Sequence, residues 1–442
     1  MKDFFADDVL IEGESAALLY KEVKDLPIID YHCHLDQSLI ASDARFEDIG
    51  QLWLGGDHYK WRAMRMCGVD EYYITGGASW KEKFEKYASI VPRLAGNPLY
   101  YWTHLELRQV FGIDGPLNQD TADRIFEEAN KKLQTLSVRK LLKKFRVEFV
   151  ATTDDPTEDL AAHGTYDGVI VSPTFRPDKL YRLDPAYLEA LGKAAGIEIK
   201  TLSDLKKALC ARLDFFASKG CRISDHGFAD FPASYASESE MERLFADRGN
   251  LTPAEEDAAF GYLLLFLMRE YKKRDIVVQL HFSVQRNINT PMFEKLGADA
   301  GFDVIGKEPD LENVMNFLDR LPDGDRPAMI LYTLNPNAIA PLACISGAFR
   351  NVYIGAAWWF NDTLSGIARN LDWISEYACL GTNLGMLTDS RSFSSYSRFD
   401  FFRRILCTFV GRKVDKGEYP LDDAKELVKN ISYYNIKNLL KL

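Results

Sequence analysis

A His-x-His pair stands in Asp30-Tyr31-His32-Cys33-His34, at the end of the apolar stretch PIIDYH. Alternate residues of an extended strand point the same way, so His32 and His34 project together while Cys33 points into the core. Two imidazoles at that spacing can share one divalent metal. Histidines spaced by one residue also arise by chance. Far along the chain a second apolar stretch ends in Thr388-Asp389-Ser390-Arg391. A carboxylate there could complete a His-His-Asp metal set, act as a base beside the metal, or simply cap the following helix.

Other chemistry-bearing residues also sit where apolar stretches end. His281, in QLHFSVQRNINT, suits a third imidazole ligand, a hydrogen-bonding acid, or a satisfied buried histidine. Arg176, Arg286 and Arg391 each lie just past such an end. One alone reads as a surface ion pair; three around one mouth suggest an anionic ligand, because guanidinium matches carboxylate geometry bidentately. Asp225 could orient one of them or hold a hydroxyl. Trp358, in a tandem pair with Trp359, reads either as core or as the wall of a sugar site that excludes water. His58 and Tyr59, in GGDHYKW, could descend on a substrate as part of a lid.

These residues need a scaffold that brings distant stretches together. Eight short β-rich runs do so: residues 27–32 (PIIDYH), 148–153 (EFVATT), 168–172 (GVIVS), 221–225 (CRISD), 276–281 (IVVQLH), 328–334 (AMILYTL), 352–357 (VYIGAA) and 384–389 (LGMLTD). Such runs suit strands buried on both faces. Helical stretches separate them, most clearly residues 252–273, where Thr252 suits the N-cap, Pro253 the first turn and Glu255 a capping box. Eight alternations predict an α/β chain forming a single (β/α)8 TIM-like barrel over residues 1–442, with an open doubly wound sheet as the alternative. Barrel sites form at the carboxyl ends of the strands, where these candidates lie. Residues 36–147, between the first two runs, hold helical pattern and tryptophans but no strand. They read as a mostly helical insertion over the mouth.

Composition narrows the partners. The net charge of −11 disfavours nucleic acid and anionic membranes, which require a positive field. Seven scattered cysteines without a C-x-x-C pair suggest reduced thiols. The acidic start, MKDFFADDVLIEG, has no basic-then-apolar leader, so a cytoplasmic location is expected. No G-x-G-x-x-G after a strand, P-loop or G-x-S-x-G motif is present, so neither nucleotide binding nor serine hydrolysis is indicated.

The stretches IIDYHCHL, LGGDHYKWRAMR, GNPLYYWTHLELRQVFGI, TTDDPTEDL, SPTFRPDK, GCRISDHGF, QLHFSVQRNINT, ILYTLNPN, WWFND and GMLTDSRSFSSYSRFDFFRRIL resemble the uronate isomerase family of the amidohydrolase superfamily, in order, from near residue 25 to near residue 435. That resemblance implies aldose–ketose isomerisation of hexuronates, D-glucuronate to D-fructuronate and D-galacturonate to D-tagaturonate. It implies one divalent metal, taken as zinc, held by His32, His34 and Asp389. It also implies active-site roles for His58, Tyr59, Arg176, Asp225, His281, Arg286, Trp358 and Arg391. No lysine ends the fourth run and no histidine ends the sixth, which speaks against a two-metal hydrolase. A mononuclear hydrolase or decarboxylase on the same barrel is the alternative. The partner expected is a small hexuronate; a homo-oligomer is neither required nor excluded.

Overall fold

The first seven runs form strands, and each pairs in parallel with the next in chain order. In the computed structural model, which describes residues 3–442, the strands are Ile28–Asp30, Val147–Ala151, Val169–Ser172, Ile223–Gly227, Val277–Phe282, Met329–Thr333 and Val352–Ile354. The third run does double duty. Val169–Ser172 pairs with Val147–Ala151, and beyond Pro173 the chain continues as Thr174–Phe175, which pairs with Ile223–Gly227. Proline has no N–H to give a ladder, yet pairing with the second run resumes beyond it: the Asp154 N–H donates to Thr174 O at 3.1 Å and the Arg176 N–H to Asp154 O at 3.0 Å. The protein is thus an α/β fold with two mainly parallel sheets joined through one extended segment; the first sheet also carries the antiparallel edge strand Gly164–Tyr166.

Alternation explains why these runs read as continuously apolar. Along Val277–Phe282 and Met329–Thr333, Val278, Leu280, Phe282, Met329 and Leu331 pack outward against helices. Val277, Ile330 and Tyr332 face a second cluster, with Ile29, Tyr31, Phe149, Ala151, Ile223, Ala356, Leu384 and Leu387. Both faces of each strand are therefore desolvated. The helix Pro253–Lys273 begins as its sequence predicts: Thr252 is the N-cap and makes a capping box with Glu255. Between Asp30 and Val147 the described chain forms helices only, among them His58–Met66 and Pro98–Phe111.

The eighth run departs from expectation. Residues 384–389 form no strand, although they lie beside the first one. Gly385 has φ +76° and Asp389 φ +46°, both incompatible with a regular ladder. The missing backbone partners are replaced in part by the Asp30 side chain, which accepts the Thr388 N–H at 2.9 Å and the Thr388 hydroxyl at 2.6 Å. The Asp389 N–H then donates to His32 O and the His34 N–H to Ser390 O, at 3.1 and 3.0 Å. Hence Asp30→Ala is expected to leave two buried Thr388 donors unsatisfied and to cost about 1–3 kcal/mol. The measurement is a lowered urea midpoint at unchanged slope; an unchanged midpoint would mean that the segment finds other acceptors.

Candidate active site

The ends of the runs surround a cavity of about 360 Å³. His32, His34, His58, Arg176, His281, Arg286, Trp358, Asp389 and Arg391 all line it. Asp225 and Tyr59 do not. Asp225 is fully buried behind His281 and Arg176. Tyr59 is half-buried beside His58, its hydroxyl turned to Asp362.

Asp389 lies where the first strand and the eighth run meet. Its Oδ1 stands 3.3 Å from Nε2 of His32 and 3.2 Å from Nε2 of His34, and its Oδ2 accepts the Trp358 indole N–H at 2.7 Å. Burial alone would raise this carboxyl, yet hydrogen bonding to His32 and His34 holds it well below the usual range. The helix that follows begins only at Ser397, so Asp389 is not its cap. Donor atoms of His32, His34 and Asp389 all lie within 4.8 Å of one another, and so do those of His32, Asp225 and His281. Two imidazole nitrogens and a carboxylate oxygen converging at a cavity wall make a donor set that suits a divalent cation. Cys33, as expected, is buried on the opposite side, its Sγ 3.3 Å from Ala151 O.

Two tautomers follow from the hydrogen bonds. His281 Nδ1 lies 2.6 Å from Asp225 Oδ1. Burial opposes an ionised Asp225, but Arg176, His281 and His32 hold its carboxyl well below the usual range, so it can only accept. His281 therefore carries its proton on Nδ1 and keeps a lone pair on Nε2, which is buried without a partner among the described residues. Its ring stacks on Tyr332 at 4.4 Å and 11°. A side chain at Gly355 would collide with the Tyr332 ring, so the glycine protects this stack. At His58 the logic reverses. Arg391 can only donate, so His58 Nδ1, 3.0 Å from Arg391 Nη1, accepts and Nε2 bears the proton. Burial and the Arg391 charge both lower the His58 pKa, keeping it neutral.

All three predicted arginines reach the cavity, and each already faces a carboxylate. Arg176 Nε is 2.8 Å from Asp178 and its Nη1 3.2 Å from Asp225. Arg286 is 3.1 Å from Asp303, and Arg391 3.1 Å from Asp299. Seven carboxylates and four Lys or Arg cations line the cavity, so no net positive field steers an anion inward. Recognition of an anion has to be local, through the donors that each guanidinium still has free. Asp178, Asp299 and Asp303 were not anticipated from the sequence. Asp178, two residues after Arg176, was findable; Asp299 and Asp303 lie in the irregular segment GADAGFD, which carries no periodic signal.

A family model for glucuronate isomerase matches residues 1–440. The chain belongs to the glucuronate isomerase family. It is 42% identical to a uronate isomerase of Lachnoclostridium phytofermentans, over 99% of each chain. The crystal structure of uronate isomerase from Thermotoga maritima matches with a TM-score of 0.96 at 36% identity, over 99% of this chain and 100% of that one. That of glucuronate isomerase from Caulobacter crescentus matches with a TM-score of 0.94 at 28% identity, over 99% and 97%. The family is one of isomerases, and these matches do not favour a hydrolase or decarboxylase. No helix among the described residues is long and apolar enough to cross a membrane.

Proposed function

We propose that the cavity interconverts hexuronate aldoses and ketoses, D-glucuronate with D-fructuronate and D-galacturonate with D-tagaturonate. The observation that carries this reading is the meeting of His32, His34 and Asp389 at one wall of a cavity whose other walls hold three guanidinium groups. The same reading takes the two sheets as a closed (β/α)8 barrel spanning residues 1–442, with 36–147 as its helical insertion. An interior cluster that draws on the first, second, seventh and eighth runs alike supports closure. We further propose that the enzyme is cytoplasmic and acts on free small-molecule uronates.

Isomerisation moves a proton from carbon 2 to carbon 1 and redistributes two hydroxyl protons through an enediol. A zinc or similar divalent ion held by His32, His34 and Asp389 would supply Lewis-acid polarisation of the oxygens at these carbons. Asp389 takes the carbon 2 proton and returns it at carbon 1. Its Oδ1 is directed to the imidazoles, so the second lone pair of Oδ2, beside the Trp358 N–H, is the basic position. His58 offers its Nε2–H to a substrate oxygen and His281 its Nε2 lone pair to a hydroxyl. Asp225 fixes the His281 tautomer and holds Arg176. Trp358 covers the reacting carbons and keeps water from the enediol. Arg176, Arg286 and Arg391 hold the far carboxylate, and that binding energy fixes the reacting end.

Incubation with D-glucuronate in heavy water, followed by proton NMR, tests the function: a ketose without cleavage products is expected, whereas cleavage or loss of carbon dioxide would mean a hydrolase or decarboxylase. Arg391→Lys tests the clamp. Lysine keeps the charge but not the fork, and a hydrogen bond to a charged group is worth about 1.5–3 kcal/mol. The Michaelis constant for uronates is expected to rise roughly tenfold or more, with turnover less affected. Unchanged uronate binding would remove Arg391 from the clamp.

A further inference from the structure

Asp389 lines the cavity from a backbone conformation that needs holding. At φ +46° it sits in the left-handed region, which L-residues seldom occupy without support. Rotation of the backbone there swings the carboxylate away from His32 and His34. The peptide unit that enters the residue is gripped on both edges. Its N–H, on Asp389, donates to His32 O at 3.1 Å. Its C=O, on Thr388, accepts Arg398 Nη1 at 2.7 Å. The two groups of a trans peptide point in opposite directions, so one grip comes from the end of the first strand and the other from the helix Ser397–Asp415. Turning that plane breaks both bonds at once.

Arg398 is 1% exposed, and a guanidinium so buried is ordinarily paired with a carboxylate. Here Asp57, Asp362 and Glu106 attract it only from beyond hydrogen-bonding reach. Among the described residues its side chain makes one hydrogen bond, to Thr388 O, and its Nε is buried without a partner. Two ring faces keep it in place: the guanidinium carbon lies 4.0 Å from the Trp102 ring centroid and 4.8 Å from that of Tyr59. Both rings stand on helices between the first two strands, Pro98–Phe111 and His58–Met66. The hydroxyls of Ser390 and Ser395, 2.7 Å apart, tie together the loop between Asp389 and Arg398. A buried charge without an ion pair is thus aimed at a single carbonyl, the one next to Asp389.

We propose that Arg398 is a positioning residue for the isomerisation: by holding the Thr388 carbonyl it keeps the Asp389 carboxylate turned toward His32 and His34 at the cavity wall. This rests on the isomerase reading, with Asp389 taking the carbon 2 proton. Arg398 does not line the cavity, so it acts through Asp389. The His34 N–H holds Ser390 O independently, which leaves Arg391 and the carboxylate clamp in place without it.

The test is a double-mutant cycle on D-glucuronate turnover at saturating zinc, with wild type, Arg398→Met, Asp389→Asn and the double variant. Methionine still packs against Trp102 and Tyr59 but donates nothing. Arg398→Met is expected to lower kcat about 100-fold, the loss that a displacement of about 1 Å can cause, with KM within about threefold. The double variant is expected within about threefold of Asp389→Asn, because Arg398 works through that carboxylate. A second readout needs no turnover. The affinity for zinc alone, measured by competition with a chelator, is expected to fall about 10–100-fold in Arg398→Met, as one of three ligands is displaced. Wild-type turnover in Arg398→Met, losses that multiply, or zinc affinity equal to wild type overturn the inference and leave the isomerase reading standing. A wild type that forms no ketose overturns that reading together with the inference. Circular dichroism and thermal melting check folding. Should Arg398→Met not fold, Arg398→Lys keeps a cation facing Asp57, Glu106 and Asp362. Its ammonium is a point charge with no planar face to stack on Trp102, so kcat is expected to fall roughly tenfold, with no further loss on the Asp389→Asn background. Wild-type turnover in Arg398→Lys, or multiplying losses, again overturns the inference.

Discussion

Replacing Asp389 with asparagine is expected to cut turnover by at least several hundred-fold, in the range of about 10²–10⁴ that a positioned base contributes. The substitution is well matched to the question. Asparagine has nearly the same volume and can still accept the Trp358 indole N–H, now 2.7 Å from Oδ2. It also tolerates the φ of +46° at this position, which an alanine would strain. What it removes is the anionic oxygen that takes a carbon-bound proton. Because the same carboxylate belongs to the candidate cation set, turnover alone does not separate base from ligand. Metal content does. If Asp389 served as a ligand only, the variant would bind metal weakly and saturating metal would restore turnover. As the base, it stays slow with the site fully loaded. Near-normal turnover at any metal concentration would reject the base assignment.

The strands were legible because their burial on both faces writes itself as an apolar run, and the helix starting at Thr252 because capping is a local code. The eighth run shows where this fails. It is apolar like the other seven, but it alone of the eight has neither Val nor Ile, and the Gly385 backbone turns out of the extended region. Its neighbour Asp30 supplies side-chain oxygens where a ladder would supply carbonyls. A side chain standing in for backbone leaves no periodic trace. Within the site, His32 and His34 were legible because their spacing is itself the geometry. Their convergence with Asp389 could be reached only by assuming that the ends of the sheet meet. The arginines were legible as chemistry but not as electrostatics. Each was expected either at the mouth or in an ion pair, and each is in both, because partners such as Asp299 and Asp303 arrive on irregular chain far from the guanidinium in sequence or in pattern. Asp225 was weighed as a group that orients an arginine or holds a substrate hydroxyl. Its complete burial places it behind the wall rather than in it.

That placement carries the second large effect. Asp225→Ala is expected to destabilise the fold by about 3–5 kcal/mol, the usual cost of leaving a buried charge without its partner. The carboxylate sits between three groups: His281 Nδ1 at 2.6 Å, Arg176 Nη1 at 3.2 Å and His32 Nδ1 at 3.8 Å. Asp178 remains as a counter-charge for Arg176, so the loss should fall toward the lower end of that range rather than abolish folding. Turnover should fall as well, since nothing then selects the Nδ1–H tautomer of His281 and its Nε2 lone pair is no longer assured. Asp225→Asn separates the two effects. An amide of the same volume can still accept from His281 through its oxygen, but it leaves Arg176 undercompensated. Chemical denaturation should therefore place the asparagine variant between alanine and wild type in stability. An alanine variant as stable as wild type, impaired only in its Michaelis constant, would mean that Asp225 moves to the substrate on binding and acts there as a hydroxyl acceptor.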